Sequence, residues 1–254
     1  MFYLFKKQKN INTTIIIDEI EASVYSAVKA HGFKKYGRTL HRFVSGDISQ
    51  VINFQSPLYV CGMKKSFCVN IGIRIPECTE KNFNPLNDKK YYKEYECTIW
   101  SRLGLISGKR ETWYDLRKDS NKISKSIIKE IETVVIPAFD VLNSRDAILT
   151  HRRNYPLFDM IFAHQILLEE CMIYGHLGDV QKAKESFDLY YKSAVAEYNA
   201  LMKKGHKQYL KKGQRVVFMG QDITAEKDGY VTLYGASHGH IDYLDELAVK
   251  LGIR

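Results

Sequence analysis

FCVNIGIRI, at residues 67–75, gives the clearest indication of the fold of this chain. Every second side chain in it is apolar, namely Phe67, Val69, Ile71, Ile73 and Ile75, and the positions between them are Cys68, Asn70, Gly72 and Arg74. A β-strand points successive side chains to opposite faces, so an alternation of this kind predicts a strand. One face of that strand is expected to be buried and the other to be semi-polar.

Three further strand-like stretches surround this one. Residues 40–44 and 48–55 are joined by a Ser-Gly-Asp turn cluster of hairpin length, and residues 97–106 resume strand-like composition after a polar loop. Upstream, Asp18 is a suitable N-cap and Gly32 a suitable C-cap for an amphipathic helix. The pattern predicts an antiparallel meander of four strands with one helix on its face.

The pattern changes after Asp119, where apolar residues begin to recur with the 3.6-residue period of an α-helix. Pro137 is expected to break or kink this helix near its end. Later helices are predicted over residues 157–174 and from residue 180 onward, and the short turn between them makes an αα-hairpin. The sequence therefore predicts an α+β protein. An N-terminal helix on a small antiparallel β-meander is followed by a helical segment with an αα-hairpin and a short C-terminal β-β-α.

The expected junction lies near residue 119, between an α+β unit of residues 1–118 and a mainly helical unit of residues 119–254. The second unit ends with strand-like segments at 216–219 and 230–234 and a short helix. The pattern leaves open whether the two units share one core.

Composition limits the class of protein. Hydrophobic residues make up 45% of the chain and charged residues 26%, which is typical of a globular protein and unlike a disordered one. The five cysteines lack CxxC spacing and are expected to be reduced core residues. No secretory signal and no apolar run of about 18 residues is visible, so the sequence predicts a cytoplasmic protein without a transmembrane helix.

Four stretches carry a family resemblance. They are HGFKKYGRTLHRF at 31–43, ISQVINFQS at 48–56, FCVNIGIRI at 67–75 and RLGLISGKRETWYDL at 102–116. In this order they resemble domain of unknown function 4304, an uncharacterised and mainly bacterial family. The resemblance is good over about residues 15–118 and loose over the helical remainder. The resemblance implies an α+β fold. It implies no activity, because the family has none assigned, and it assigns no functional residues.

Motifs for catalysis or cofactor binding are sparse. The chain has no GxSxG nucleophile motif, no cysteine in a protease context and no GxGxxG or P-loop motif, so no cofactor is predicted. His238, His240 and Asp242 form an HxHxD run like the one with which metallo-β-lactamase-like hydrolases hold zinc. They are the weak candidate for a metal site. The usual last histidine is replaced by Tyr243, and the run suits a helix N-terminus, which is the favoured interpretation.

Polar side chains near the predicted sheet give two further candidates. Glu94 and Glu96 would share one strand face if the following strand began that early, although solvated surface acids are the favoured interpretation. The strands also carry four amide side chains, Gln50, Asn53, Gln55 and Asn70. Such amides can present donors and acceptors to a ligand, but bonding within the molecule or to solvent is favoured.

Basic residues predict an acidic partner. The net charge is +9 and the sequence pI is near 9.1, which favours nucleic acid or an acidic protein as partner. The densest basic segment runs from residue 203 to residue 215 without an acidic residue. On a helical wheel five of its members share one side: Lys203, Lys204, Lys207, Lys211 and Arg215. They predict a basic helix face that binds nucleic acid or an acidic partner. The alternative is an ordinary solvated helix face. Gly205 and Gly213 weaken the prediction, because glycine destabilises a helix interior.

No group of residues forms a recognisable active site. The sequence therefore favours a non-catalytic protein-interaction protein of a bacterial cell, a class that includes immunity and defence accessory proteins. An unknown protein partner is expected, and binding to a membrane is not expected. The alternatives are a nucleic-acid-associated protein that uses the basic helix face and a metal-dependent hydrolase.

Overall fold

The structure, a computed structural model, describes residues 12–56, 65–79, 90–109, 113–158, 163–218, 221–235 and 238–254. The chain divides into two compact units, Met1–Ile161 and Phe162–Arg254. The predicted α+β class is confirmed, because an N-terminal helix precedes an antiparallel sheet and strands precede the last helix. The unit boundary lies beyond the junction expected near residue 119, since the helix that follows this residue packs against the N-terminal helix.

An antiparallel sheet forms the centre of the first unit. Its strands are β1 (Lys34–Tyr36), β2 (Thr39–Val44), β3 (Ile48–Gln55), β4 (Ser66–Arg74), β5 (Ile99–Arg102) and β6 (Tyr114–Asp115). The strand order is β1-β2-β3-β4-β5, and β6 pairs with the part of β4 that β5 leaves open. The meander is confirmed. The predicted strand over 97–106 is shorter than expected, because the helix α3 (Leu103–Ile106) follows β5 directly.

The helix α1 (Thr13–Val28) begins earlier than the sequence predicted. Asn12 is its N-cap and accepts a hydrogen bond from the backbone N–H of Ile15 at 3.4 Å. The expected cap, Asp18, lies inside the helix and pairs with Arg38 at 3.2 Å. A short 3-10 turn extends α1 to Gly32, whose left-handed φ of 85° ends the helical run as predicted.

The long helical segment after residue 119 is continuous but irregular. It consists of α4 (Ser120–Glu130), a π-turn at Ile131–Val135 and α5 (Ile136–Val141). Pro137 has no N–H to donate, and its ring crowds the carbonyl four residues earlier. The wide π-turn directly before it accommodates the proline without ending the helix. Two short helices, α2 (Pro76–Thr79) and α6 (Arg145–His151), complete the unit.

Both faces of the central strands are buried, although the sequence predicted burial of one face only. On one face, here called the helix face, Ile52 and Ile71 are cross-strand partners without exposed surface. Gln50 shares this face and donates to the backbone carbonyl of Phe139 in α5 at 2.6 Å. The helix face is therefore covered by the helices.

The other face of the sheet, here called the polar face, is covered by residues 91–97. The guanidinium carbon of Arg74 lies 3.8 Å from the centre of the Tyr92 ring. Cys97 lies directly over Gly72, where a Cβ would come within 2.6 Å of the Cys97 Sγ. Glycine at position 72 therefore allows the covering segment to approach the strand closely.

The second unit begins with the predicted αα-hairpin. The helices α7 (Ala163–His176) and α8 (Val180–Lys204) pack against each other, and Asp179 caps α8 by accepting a hydrogen bond from the backbone N–H of Lys182 at 3.1 Å. The first helix starts later than residue 157, because Pro156–Phe158 form a 3-10 turn. Across the described ranges, every helix is too short or too polar to cross a lipid bilayer.

Four strands and a helix follow the hairpin. They are β7 (His206–Leu210), β8 (Arg215–Phe218), β9 (Gln221–Thr224), β10 (Gly229–Leu233) and α9 (Gly239–Lys250). β7 pairs with β10 and β8 pairs with β9, so one hairpin is nested inside the other. The predicted C-terminal strands and helix are confirmed. Each of the two predicted strands, however, pairs with a strand that the sequence pattern did not predict.

Candidate functional site

The basic segment of residues 203–215 is not one helix face, which corrects the sequence prediction. Lys203 and Lys204 end α8, Lys207 lies in β7, Lys211 follows that strand, and Arg215 begins β8. Gly205 explains the change, because its φ of 64° and ψ of −177° belong to a backbone region that is essentially open to glycine alone. This conformation ends the helix, and the five basic residues are spread over separate elements.

Charge in the second unit is also balanced. Arg215 forms an ion pair with Asp222 of the neighbouring strand β9. Residues 162–254 contain as many acidic as basic side chains, so the net charge of +9 belongs to residues 1–161. A field strong enough to attract a polyanion is therefore a property of the first unit rather than the second.

Beside Lys207 the structure places two aromatic side chains. Tyr209 and Tyr230 are cross-strand partners on β7 and β10, with ring centroids 5.3 Å apart and ring planes at 75°. They are 51% and 72% exposed. Lys207 and its partner Thr232 project from the same side of this two-stranded sheet. These four residues are here called the tyrosine face.

The opposite side of the same two strands is anchored in the core. Leu210 and Leu233 point away from the tyrosine face and have almost no exposed surface. The pairing of β7 with β10 extends over all five residues of each strand. The tyrosine face is therefore presented on a fixed support, and its aromatic rings stay exposed although they lie in regular structure.

His238, His240 and Asp242 do not converge on one point. His238 Nδ1 lies 2.7 Å from Asp242 Oδ1 across one turn of α9, and His240 Nε2 lies 3.0 Å from the hydroxyl of Tyr190 in α8. Within the described part of the chain, no three His, Cys, Asp or Glu side chains are grouped as metal ligands. The HxHxD run is the N-terminus of α9, which begins at Gly239.

A row of polar side chains crosses the polar face of the first unit. Thr39, Asn53, Asn70 and Arg102 are successive cross-strand partners from β2 to β5. Asn53 Nδ2 donates to Thr39 Oγ1 at 3.0 Å, and Asn70 Nδ2 donates to Gln55 Oε1 at 2.9 Å. These amides thus bond within the sheet. They tie three strands together beneath the covering segment.

Glu94 and Glu96 do not share a strand face, because they lie in a 3-10 turn and β5 starts only at Ile99. Glu96 Oε2 accepts a hydrogen bond from the backbone N–H of Lys93 at 3.0 Å and so caps the turn. Burial raises the pKa of Glu94, which is near Asn70. The predicted pairing of the two carboxylates on one strand face is therefore wrong.

His41 is enclosed by aromatic rings on the polar face. Its ring centre lies 4.6 Å from that of Phe43 and 5.9 Å from that of Tyr92. Burial, with a smaller contribution from the charge of Arg74, lowers the pKa of His41 to about 4. Its Nε2 has no hydrogen-bond partner among the described residues. His41 is therefore a neutral packing residue at neutral pH.

We expect His41 to make the fold acid-sensitive. The unfolded chain binds a proton at this residue below about pH 6.5, whereas the folded chain does so only near pH 4. The stability that neutral His41 contributes is present above pH 6.5 and is lost as the pH falls towards 4, by up to about 1.4 kcal/mol per pH unit. His41→Phe keeps a ring in this site. Between pH 7 and pH 5, the free energy of unfolding measured with urea should fall by about 2 kcal/mol less for the variant than for the wild type. Equal losses for the two proteins would contradict this assignment.

The described cysteines are buried thiols. Cys68, Cys78, Cys97 and Cys171 are free and buried, so the prediction of reduced core cysteines is confirmed for these four. Burial raises the pKa of Cys68 to about 11 and that of Cys171 to about 12. Nucleophilic cysteines react as thiolates, which these two do not form at neutral pH. Cys61 lies outside the described residues.

Comparison with known proteins bears on the first unit. The family model described as Domain of unknown function (DUF4304) matches residues 24–141. The matched range begins within α1, includes the six-stranded sheet and ends with the last residue of α5. Comparisons with curated proteins and with solved structures found no match. The resemblance carried by the four sequence stretches is thereby confirmed, because residues 24–141 of this chain match the DUF4304 family model.

Proposed function

We propose that this chain is a non-catalytic protein-interaction protein of the bacterial cytoplasm, in the class that includes immunity and defence accessory proteins. The observation that carries the proposal is the tyrosine face of β7 and β10. Tyrosine is enriched at the centres of protein interfaces, because it offers a large contact area with few rotatable bonds and a hydroxyl for hydrogen bonding. Tyr209 and Tyr230 offer such contact area together, at directly opposed positions.

The charge next to the rings indicates the kind of partner. Lys207 lies on the tyrosine face, and Lys211 follows at the end of β7. A protein surface with an apolar or aromatic centre and acidic residues at its rim complements this arrangement. Nucleic acid is the less favoured partner for this face, since its affinity grows with the number of neutralised phosphates and the charge of this unit is balanced.

The proposal is tested by recovering the partner and measuring its affinity. The full chain is immobilised, the stoichiometric partner in a lysate of the native cells is identified by mass spectrometry, and the purified pair is studied by calorimetry. Replacing both Tyr209 and Tyr230 by serine should weaken binding about 100-fold or more, as expected for the loss of interface hot spots. Tyr95→Ser is the control, because Tyr95 is about as exposed as Tyr230 but lies in the first unit. It should leave the affinity unchanged.

Two outcomes would count against the proposal. One is the absence of a stoichiometric protein partner under native salt. The other is equal weakening by the Tyr95→Ser control. Capture that disappears after nuclease treatment would instead assign the tyrosine face to nucleic acid.

A further inference from the structure

The solvent side of α4 carries three lysines that the sequence pattern did not single out. Lys122, Lys125 and Lys129 are three and four residues apart, a spacing that places them on one side of a helix. The opposite side buries Ile123 and Ile127. These lysines are here called the lysine stripe. Lys118 lies one turn before it and is also exposed.

The lysines of the stripe are not held in ion pairs within the described ranges. Neighbouring charges do form ion pairs: Lys109 pairs with Glu130 at 2.6 Å and Arg117 pairs with Asp115 at 2.7 Å. The acidic residue of α4 is thus engaged by a lysine outside the stripe. The whole positive net charge of the chain lies in this unit. The stripe is therefore a concentrated part of a positive field.

The chemistry of the helix surface favours nucleic acid over protein. The exposed residues of α4 are Asn121, Lys122, Lys125, Ser126 and Lys129. A protein partner would find only the partly exposed Ile128 as an apolar group to bury here, and lysine is depleted from the centres of protein interfaces. Phosphates need no apolar contact, because their affinity comes from neutralisation and the release of counterions.

We propose that the lysine stripe binds the phosphate backbone of double-stranded nucleic acid. From Lys122 to Lys129 the helix rises about 10 Å, and a duplex carries one charge per about 1.7 Å of its axis, so each lysine can meet a different phosphate. Lysine contacts to phosphate position a protein on a duplex and read no bases, so the binding is independent of sequence. The exposed side of α4 has no aromatic residue for base stacking, which favours a duplex over a single strand.

The test uses the full chain and a labelled DNA duplex of mixed sequence, about two helical turns long, with anisotropy measured between about 50 and 200 mM salt. The stripe variant replaces Lys122, Lys125 and Lys129 by glutamine. We expect it to bind about 10-fold or more weakly at low salt, with the slope of log K against log salt reduced by about 2.7. Circular dichroism should show an unchanged fold, since lysine and glutamine have similar helix propensity.

The matched control replaces Lys192, Lys203 and Lys204 by glutamine, which removes the same charge from the second unit and leaves the tyrosine face unchanged. It should keep the wild-type affinity and salt slope. Equal weakening by both triple variants, an unchanged slope in the stripe variant, or no binding of the wild type would overturn the proposal. A polyglutamate peptide is the second probe. Tighter binding of this peptide than of the duplex would also overturn it and would assign the stripe to an acidic protein.

Discussion

Arg145→Met should lower the unfolding free energy of the first unit by about 2 to 3 kcal/mol. Arg145 donates two hydrogen bonds to Glu77, each 2.8 Å long, and two more to Asp47, at 2.9 and 3.0 Å. The side chains of Arg145 and Glu77 are only 11% and 12% exposed. The hydrogen bonds that Arg145 donates to Glu77, and to a smaller extent those to Asp47, raise the pKa of Arg145 above its already high value. Asp47 is half exposed and contributes less, so most of the cost comes from leaving Glu77 buried without its counter-charge.

The position of Arg145 in the fold explains why one side chain matters this much. Asp47 lies in the turn between β2 and β3, Glu77 lies in α2, and Arg145 begins α6. One guanidinium group therefore joins three segments that are far apart in sequence, and its fork geometry suits two carboxylates at once.

Arg117→Met is the control for this prediction. Arg117 pairs with Asp115 at 2.7 Å, but its side chain is 60% exposed and both residues belong to the same short segment. Exposed pairs of this kind contribute little, so urea unfolding should show almost no change. Similar losses for the two variants would mean that burial does not set the cost of removing Arg145.

The sheet was the part of the fold most open to prediction, because its signal is local. The alternation in residues 67–75 and the turn between residues 44 and 48 define β4 and the β2–β3 hairpin without reference to any other segment. The burial of the polar face was not predictable in the same way. It depends on residues 91–97 folding back over β4. The alternation of side chains within β4 does not indicate that contact.

The second unit shows how one spacing fits two structures. Lysines at 203, 207 and 211 recur every four residues, which places them on one side of a helix. Residues four apart also share one face of a strand, so charge spacing alone does not distinguish the two. The alternation of Lys207 with Tyr209 was the signal for β7 and for the tyrosine face. The conformation of Gly205 ends the helix and so makes the residues after it a strand.

The spacing of the lysine stripe, in contrast, is visible in the sequence, although the sequence analysis did not single it out. Lys122, Lys125 and Lys129 alternate with Ile123 and Ile127 at helical spacing, within a segment whose helical period is evident. The sequence did not show that these lysines lack ion pairs among the described residues, because ion pairing depends on where distant acidic residues lie in the fold.

Gly205→Ala should lower the unfolding free energy of the second unit by about 3 kcal/mol or more, the largest effect that we expect in this part of the chain. A Cβ at this position would lie 2.5 Å from the backbone carbonyl oxygen of Leu233 and 2.8 Å from Cγ2 of Thr232. The backbone of β10 cannot move away without breaking its pairing with β7. The left-handed φ of Gly205 adds conformational strain to this clash.

Gly213→Ala separates the two causes. Gly213 also has a left-handed φ, of 79°, but a Cβ added there would meet no atom within 4 Å. Alanine at this position carries only the backbone strain, about 1 to 2 kcal/mol. In urea unfolding of the full chain, Gly205→Ala should therefore have a clearly lower free energy of unfolding than Gly213→Ala. Because Leu233 belongs to the strand that carries Tyr230, Gly205→Ala should also weaken binding at the tyrosine face, whereas Gly213→Ala should not. Equal stability of the two variants would show that the close approach of Gly205 to β10 is not what fixes the end of α8.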